Sequence, residues 1–93
     1  MIQSFADKVT AAVFRGLVVR RLPHDLQRIA RRKLRQLDQA RRLEDLRIPP
    51  GNRLEALHGD RAGQFSVRVN DQWRPCFVWQ DGDAFEVQLT DYH

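Results

Sequence analysis

The apolar positions of this chain keep two different periods. Leu26, Ile29, Ala30, Leu34 and Leu37 recur at helical spacing, with the stem of Lys33 on the same stripe, so one amphipathic helix is predicted to begin near Pro23 and Asp25. Proline is tolerated in a first helical turn, and an aspartate there complements the positive end of the helix dipole. A shorter helix through Val9, Ala12, Val13 and Phe14 is predicted ahead of it, capped by Asp7 and ended at Gly16. Before that, the alternation from Ile2 to Phe5 suits an edge strand.

Beyond residue 50 the period becomes two. Leu54–Leu57 and Gln64–Asn70 read as strands, the second with Phe65, Val67 and Val69 alternating against Ser66 and Arg68. Trp73–Gln80 is apolar on both parities, as expected of a central strand covered on two faces, although Pro75 interrupts its regularity. Asp81-Gly82 is a strong hairpin signal. It leads to a last strand predicted to carry Phe85, Val87 and Leu89 on one face and Glu86, Gln88 and Thr90 on the other. Between the two periods, Leu43 and Leu46 suggest a helical turn, and Ile48-Pro49-Pro50-Gly51-Asn52 a hinge. The expected class is α+β, with N-terminal helices packed on a mainly antiparallel sheet. At 93 residues the chain is expected to form one domain over its whole length.

Charge divides the chain in the same place as the period. Arg20 to Arg42 holds nine basic residues and two acids, whereas Pro75 to His93 holds four acids and no Lys or Arg. Fourteen of the cations are arginine, whose planar fork suits phosphate, against Lys8 and Lys33. Like-charged pairs one helical turn apart, Arg28/Arg32 and Arg31/Arg35, cost a few tenths of a kcal/mol each, which an anionic partner would relieve. Nucleic acid and an acidic protein both fit, and so does a merely solvated helix face. A single cysteine, Cys76, with no CxxC or histidine-rich neighbour, argues against a disulfide framework or a metal site, and it is read as a strand residue. No apolar run is long enough to cross a bilayer, and the start lacks a signal-peptide pattern, so no membrane association and a cytoplasmic location are expected.

Several local motifs point further. The block Asn52-Arg53-Leu54-Glu55-Ala56-Leu57-His58-Gly59-Asp60-Arg61-Ala62-Gly63, with Ser66-Val67-Arg68-Val69, Gln72-Trp73-Arg74 and the terminal Asp91-Tyr92-His93, resembles the HigB-type host-inhibition toxins of the RelE superfamily. The run Arg-Val-Asn-Asp-Gln-Trp-Arg is similar to the GraT-like subgroup. The resemblance implies a RelE-like fold and ribosome-dependent endoribonuclease cleavage of messenger RNA. It also implies inactivation by a HigA-type helix-turn-helix antitoxin, with DNA contacted only through that partner, and no cofactor.

Such cleavage uses the RNA's own 2′-hydroxyl, so the protein must supply a proton acceptor, a cation for the charge-loaded phosphorane and a donor for the departing 5′-oxygen, without need of a metal. The resemblance assigns the cation to Arg74, whose alternative is a structural pair with Asp91. It assigns an acid/base or orienting role to Asp91, and to Tyr92 stacking on a base, which competes with a place over the core. His93 is a titratable group at the chain end. Glu55 and His58 stand where many HigB toxins have histidine and lysine. They are candidates for accepting and donating a proton, in a pocket less positive than usual and therefore slower, though Glu55 could equally pair with Arg53 or Arg61 at the surface. Arg53, Arg61 and Arg68, and the helix arginines Arg28, Arg31, Arg32 and Arg35, are expected to grip RNA backbone. Two other readings stay open: inhibition by occupancy of ribosomal RNA without cleavage, and a cationic helix that binds an acidic segment of the antitoxin.

Overall fold

A computed structural model describes residues 1–91. Helix α1 spans Lys8–Phe14 and α2 spans His24–Gln39. Asp7, in extended conformation, accepts the Thr10 N–H at 2.8 Å and starts α1. At the other end Gly16 takes a left-handed conformation (φ 81°), so its N–H reaches the Val13 carbonyl and the Leu17 N–H reaches that of Ala12, both at 3.0 Å. These two bonds close the helix and turn the chain outward at Leu17.

Leu26, Ala30, Leu34 and Leu37 are buried along one stripe of α2, as their spacing predicts. Each leucine so buried stabilises the fold by roughly 1.5–3 kcal/mol. The stripe joins Val13 of α1 and Val67, Val69, Phe77, Ala84, Val87 and Leu89 of the sheet half in one core.

The sheet is antiparallel with strands in the order β1 (Glu55–Ala56), β2 (Gln64–Ser66), β3 (Trp73–Gln80) and β4 (Asp83–Asp91). The segment from Met1 to Ala6 runs parallel along the free edge of β4, bridging at Ile2/Ala84 and Phe5/Val87, and so covers an edge that would otherwise offer unpaired backbone groups. Asp81 and Gly82, both at positive φ, form the tight β3–β4 turn. Leu43–Arg47 and Pro50–Asn52 are 3-10 turns in the hinge.

Two expectations about the strands need correction. The strand predicted over Gln64–Asn70 is regular only to Ser66. The Val67 N–H still bonds the Pro75 carbonyl at 3.2 Å, but Pro75 has no N–H to return, and the ladder breaks there. Second, Phe85 does not share a face with Val87 and Leu89. Phe85 pairs with Val78, while Gln88 pairs with Cys76, and the register shifts between them. Glu86, at φ 53°, absorbs the extra residue as a bulge whose N–H bonds the Ser4 hydroxyl at 2.9 Å. The buried set of β4 is therefore Ala84, Val87 and Leu89.

The hinge is organised by Asn52, which is fully buried. Its amide nitrogen donates to the Leu46 carbonyl and Gln36 Oε1, both at 3.1 Å, and its Oδ1 accepts from Lys33 Nζ at 2.5 Å. Burial, reinforced by the charge of neighbouring Arg32, holds the Lys33 ammonium below the ordinary lysine value.

Candidate active site

The register sorts the strand residues into two faces. Trp73, Pro75, Phe77 and Trp79 alternate with Arg74, Cys76 and Val78 along β3. Phe77 belongs to the core shared with the helices. Arg74 therefore belongs to the helix-free face, with its cross-strand partner Thr90, with Ser66 and Gln64 of β2, and with Gln88 of β4.

Arg74 is only 9% exposed. Its guanidinium is held from three sides. Nε donates to Ser66 Oγ at 2.8 Å, Nη2 donates to the Arg53 carbonyl at 2.7 Å, and the same Nη2 lies 3.8 Å from Glu55 Oε2. Each partner is placed by local structure. Ser66 ends β2 beside Cys76 in the register, and Glu55 opens β1 opposite Ser66. Arg53 follows the Pro50–Asn52 turn in a left-handed conformation (φ 43°, ψ 59°) that directs its carbonyl toward Arg74. The Arg68 N–H bonds the Asn52 carbonyl at 2.6 Å and ties this turn to the strand region. A buried guanidinium whose charge is matched, among the described residues, by a carboxylate with 56% side-chain exposure is a cation that an incoming anion can share.

A second arginine lies over the same face. Arg61, closing the 3-10 turn Gly59–Arg61, donates Nη1 to Gln64 Oε1 at 3.1 Å and Nη2 to Gln88 Oε1 at 3.2 Å, spanning from β2 to β4 across the middle strand. Its two amide partners are neutral, so its charge is not cancelled by them.

The residues singled out in the sequence are thus partly assembled. Glu55, Arg53 (by its carbonyl), Arg61 and Arg74 meet on the helix-free face, and Glu55 pairs with Arg74 rather than with Arg53 or Arg61. His58 is exposed at the start of the Gly59–Arg61 turn, three residues past Glu55, with no hydrogen bond or ion pair to Glu55 or Arg74. The arginine–aspartate pair between Arg74 and Asp91 does not form. Asp91 opposes Trp73 in the register, which gives it the parity of the helix-facing positions, and its Oδ2 accepts from Gln72 Nε2 at 3.1 Å. Arg68 is paired with Asp71 in the β2–β3 turn. Tyr92 and His93 lie outside the described residues. Arg28, Arg31, Arg32 and Arg35 stand on α2 in the helix layer, around a groove with the end of α1, and not beside Arg74. Nothing in the sequence singles out Ser66, Gln64 or Gln88 as site residues. The alternation that places them on the Arg74 face is visible in the sequence for Ser66 and Gln88, but ordinary polar strand positions look the same.

Comparison with known proteins adds a family to this geometry. Residues 3–93 match a family described as "RelE-like toxin of type II toxin-antitoxin system HigB". The protein named "Toxin HigB-1" of Vibrio cholerae serotype O1 is 47% identical over 73 residues, covering 78% of this chain and 77% of that protein. "Endoribonuclease HigB" of Proteus vulgaris is 35% identical over 94 residues and both proteins are covered in full. Among solved structures, a chain of the YoeB–YefM complex from Staphylococcus aureus superimposes with a TM-score of 0.62 at 13% identity, covering 100% of this chain and 98% of that one. That last likeness concerns the fold alone.

Proposed function

This chain belongs to the HigB-like family, the RelE-like toxins of type II toxin–antitoxin systems, and we propose that it is an endoribonuclease that blocks translation by cleaving messenger RNA on the ribosome. Its partner in this reading is a HigA-type helix-turn-helix antitoxin, which would also be its only link to DNA. The observation that carries the chemistry is the Arg74 guanidinium, nearly buried on the helix-free face, with the Glu55 carboxylate 3.8 Å from it.

The reaction proceeds by attack of the 2′-hydroxyl on the adjacent phosphorus. The O2′–P bond forms and the P–O5′ bond breaks, leaving a 2′,3′-cyclic phosphate and a 5′-hydroxyl. Glu55 takes the 2′ proton, and His58 supplies one to the departing 5′-oxygen. Arg74 follows the phosphate oxygens as charge builds on them, and its hydrogen bonds to Ser66 and the Arg53 carbonyl fix it before RNA arrives. Arg61 holds the strand on the same face, and Arg53 guides it from the side. Asp91 serves at the rim through Gln72 rather than at the phosphate. Relatives with a fixed cation at the His58 position have a more positive pocket, so cleavage here is expected to be slower than in those relatives.

The test is brief induction of wild type, Arg74→Ala and Glu55→Gln, with growth recorded and messenger 5′ ends mapped. New in-frame ends in wild type, lost in Arg74→Ala and reduced about 10²-fold or more in Glu55→Gln, are expected of a charge stabiliser and a proton acceptor. Growth arrest by all three without new ends would favour inhibition by occupancy instead.

A further inference from the structure

The groove between the end of α1 and the outer face of α2 takes no part in the proposed cleavage. It has a volume of about 370 Å³ and is lined by Leu17, Val18, Arg28, Arg31, Arg32 and Arg35 among others. Leu17 and Val18 are 57% and 69% exposed. The turn at Gly16 explains why. In such a helix ending the residue after the glycine usually packs back on the last helical turn, whereas here Leu17 and Val18 lead out into solvent beside the arginines. Arg31 lies against Gly16, where an added Cβ would come within 2.8 Å of its Cζ, and its Nε points to the Phe14 carbonyl at 3.5 Å. Arg31 thereby meets the end of α1 at one edge of the groove.

Its charge is scarcely answered from within the chain. Among the described residues, the ion pair these four arginines make is Arg28 to Asp25 at 3.7 Å, with both side chains largely exposed. An occupant must therefore supply carboxylates around an aliphatic anchor. The exposed aliphatic pair favours a protein over RNA: strand-binding surfaces place aromatic rings between their cations for bases to stack on, and among the described residues this groove offers His24 but no Phe, Tyr or Trp. Resting on the reading of this chain as a toxin with an antitoxin, we propose that the groove is the docking site for an acidic amphipathic helix of that antitoxin, with one aliphatic side chain seated against Leu17 and Val18. Apolar contact at the centre and carboxylate–guanidinium pairs at the rim are the arrangement of a specific protein interface. Docking there leaves the Arg74 face uncovered by this contact.

The experiment pairs two measurements. Wild type and the double variant Leu17→Asp/Val18→Asp are expressed with and without the cognate antitoxin, and the purified proteins are titrated with purified antitoxin at low and high salt. Arg32→Glu/Arg35→Glu is added to the titrations only. Leu17→Asp/Val18→Asp should arrest growth as wild type does and escape neutralisation, with antitoxin affinity at least tenfold weaker in both variants and the salt dependence reduced in Arg32→Glu/Arg35→Glu. Full neutralisation with unchanged affinity in both variants would overturn it. So would loss of toxicity in Leu17→Asp/Val18→Asp with antitoxin binding intact, which would mark the groove as a ribosome contact. If wild type proved non-toxic, the nuclease reading would fail while the titrations still decided the docking site.

Discussion

Replacing Asn52 by leucine removes the polar centre of the hinge while nearly keeping its volume. Four groups lose a partner: the Leu46 carbonyl, the Gln36 side chain, the Lys33 ammonium and the Ile48 carbonyl, the last of which keeps its bond from Gln36 Nε2. The Leu46 carbonyl bond is wholly buried, and an unsatisfied buried acceptor costs about 1–3 kcal/mol. Lys33 and Gln36 are half-buried and can turn toward water, which cuts their share to roughly 1 kcal/mol together. The sum, about 2–4 kcal/mol, corresponds for a chain of this size to a fall in Tm of roughly 10–25 °C. It is read by thermal unfolding followed by far-UV circular dichroism, with Asn52→Asp as a partner variant that keeps an acceptor for Lys33 but lacks the donors. Asn52→Asp should melt between wild type and Asn52→Leu. The Asn52 carbonyl is bonded by Arg68, and Arg53 beside it supplies a carbonyl to Arg74. Activity at a temperature where Asn52→Leu is still folded should therefore fall as well. A drop of only a few degrees, or full activity at that temperature, would refute the view that this residue organises the approach to Arg74.

Other outcomes follow from single contacts. Ser66→Ala takes the Nε partner from Arg74 but leaves its other two; Tm should fall by several degrees, about 1 kcal/mol, with cleavage down about tenfold at saturating substrate. The Asp45 carboxyl accepts the N–H groups of Arg42 and Arg41, both at 3.1 Å, and these bonds hold its pKa below the ordinary 3.8. A depressed carboxylate stabilises the fold above its unfolded value and loses that contribution as pH falls through the lowered one. Chemical denaturation should thus find Asp45→Asn less stable than wild type at neutral pH, and the gap should close well below pH 3.8. A gap that widened in acid would contradict the assignment.

Much of the scaffold was legible because it is written locally. The α2 stripe, the Asp7 cap, the Gly16 stop and the Asp81-Gly82 turn each depend on residues within a few positions of one another, where propensity and sterics act directly. The shortened β2 is half legible: Pro75 stands in the sequence, but which neighbour its missing N–H faces depends on pairing. The face of Phe85 was lost to the bulge at Glu86, since one extra residue inverts every later alternation. The candidate site is suggested by motif, and its wiring is not. Glu55 meets Arg74 only because β1 folds back on β2, and the chain spacing of 19 residues carries no sign of it. Asp91, by contrast, was drawn toward Arg74 by its motif, while strand parity turns it to the other side.

An RNA phosphate seated on Arg74 should be cut by the 2′-hydroxyl of its own nucleotide. The direct measurement is the chemistry of the product ends, taken from ribosome-bound messenger cleaved by the purified protein, with a second messenger carrying a single 2′-deoxy nucleotide at the mapped site. The expected products are a 2′,3′-cyclic phosphate or its 3′-phosphate hydrolysis product facing a 5′-hydroxyl, with no cut at the deoxy position. A 3′-hydroxyl facing a 5′-phosphate, or undiminished cutting of the deoxy messenger, would contradict it.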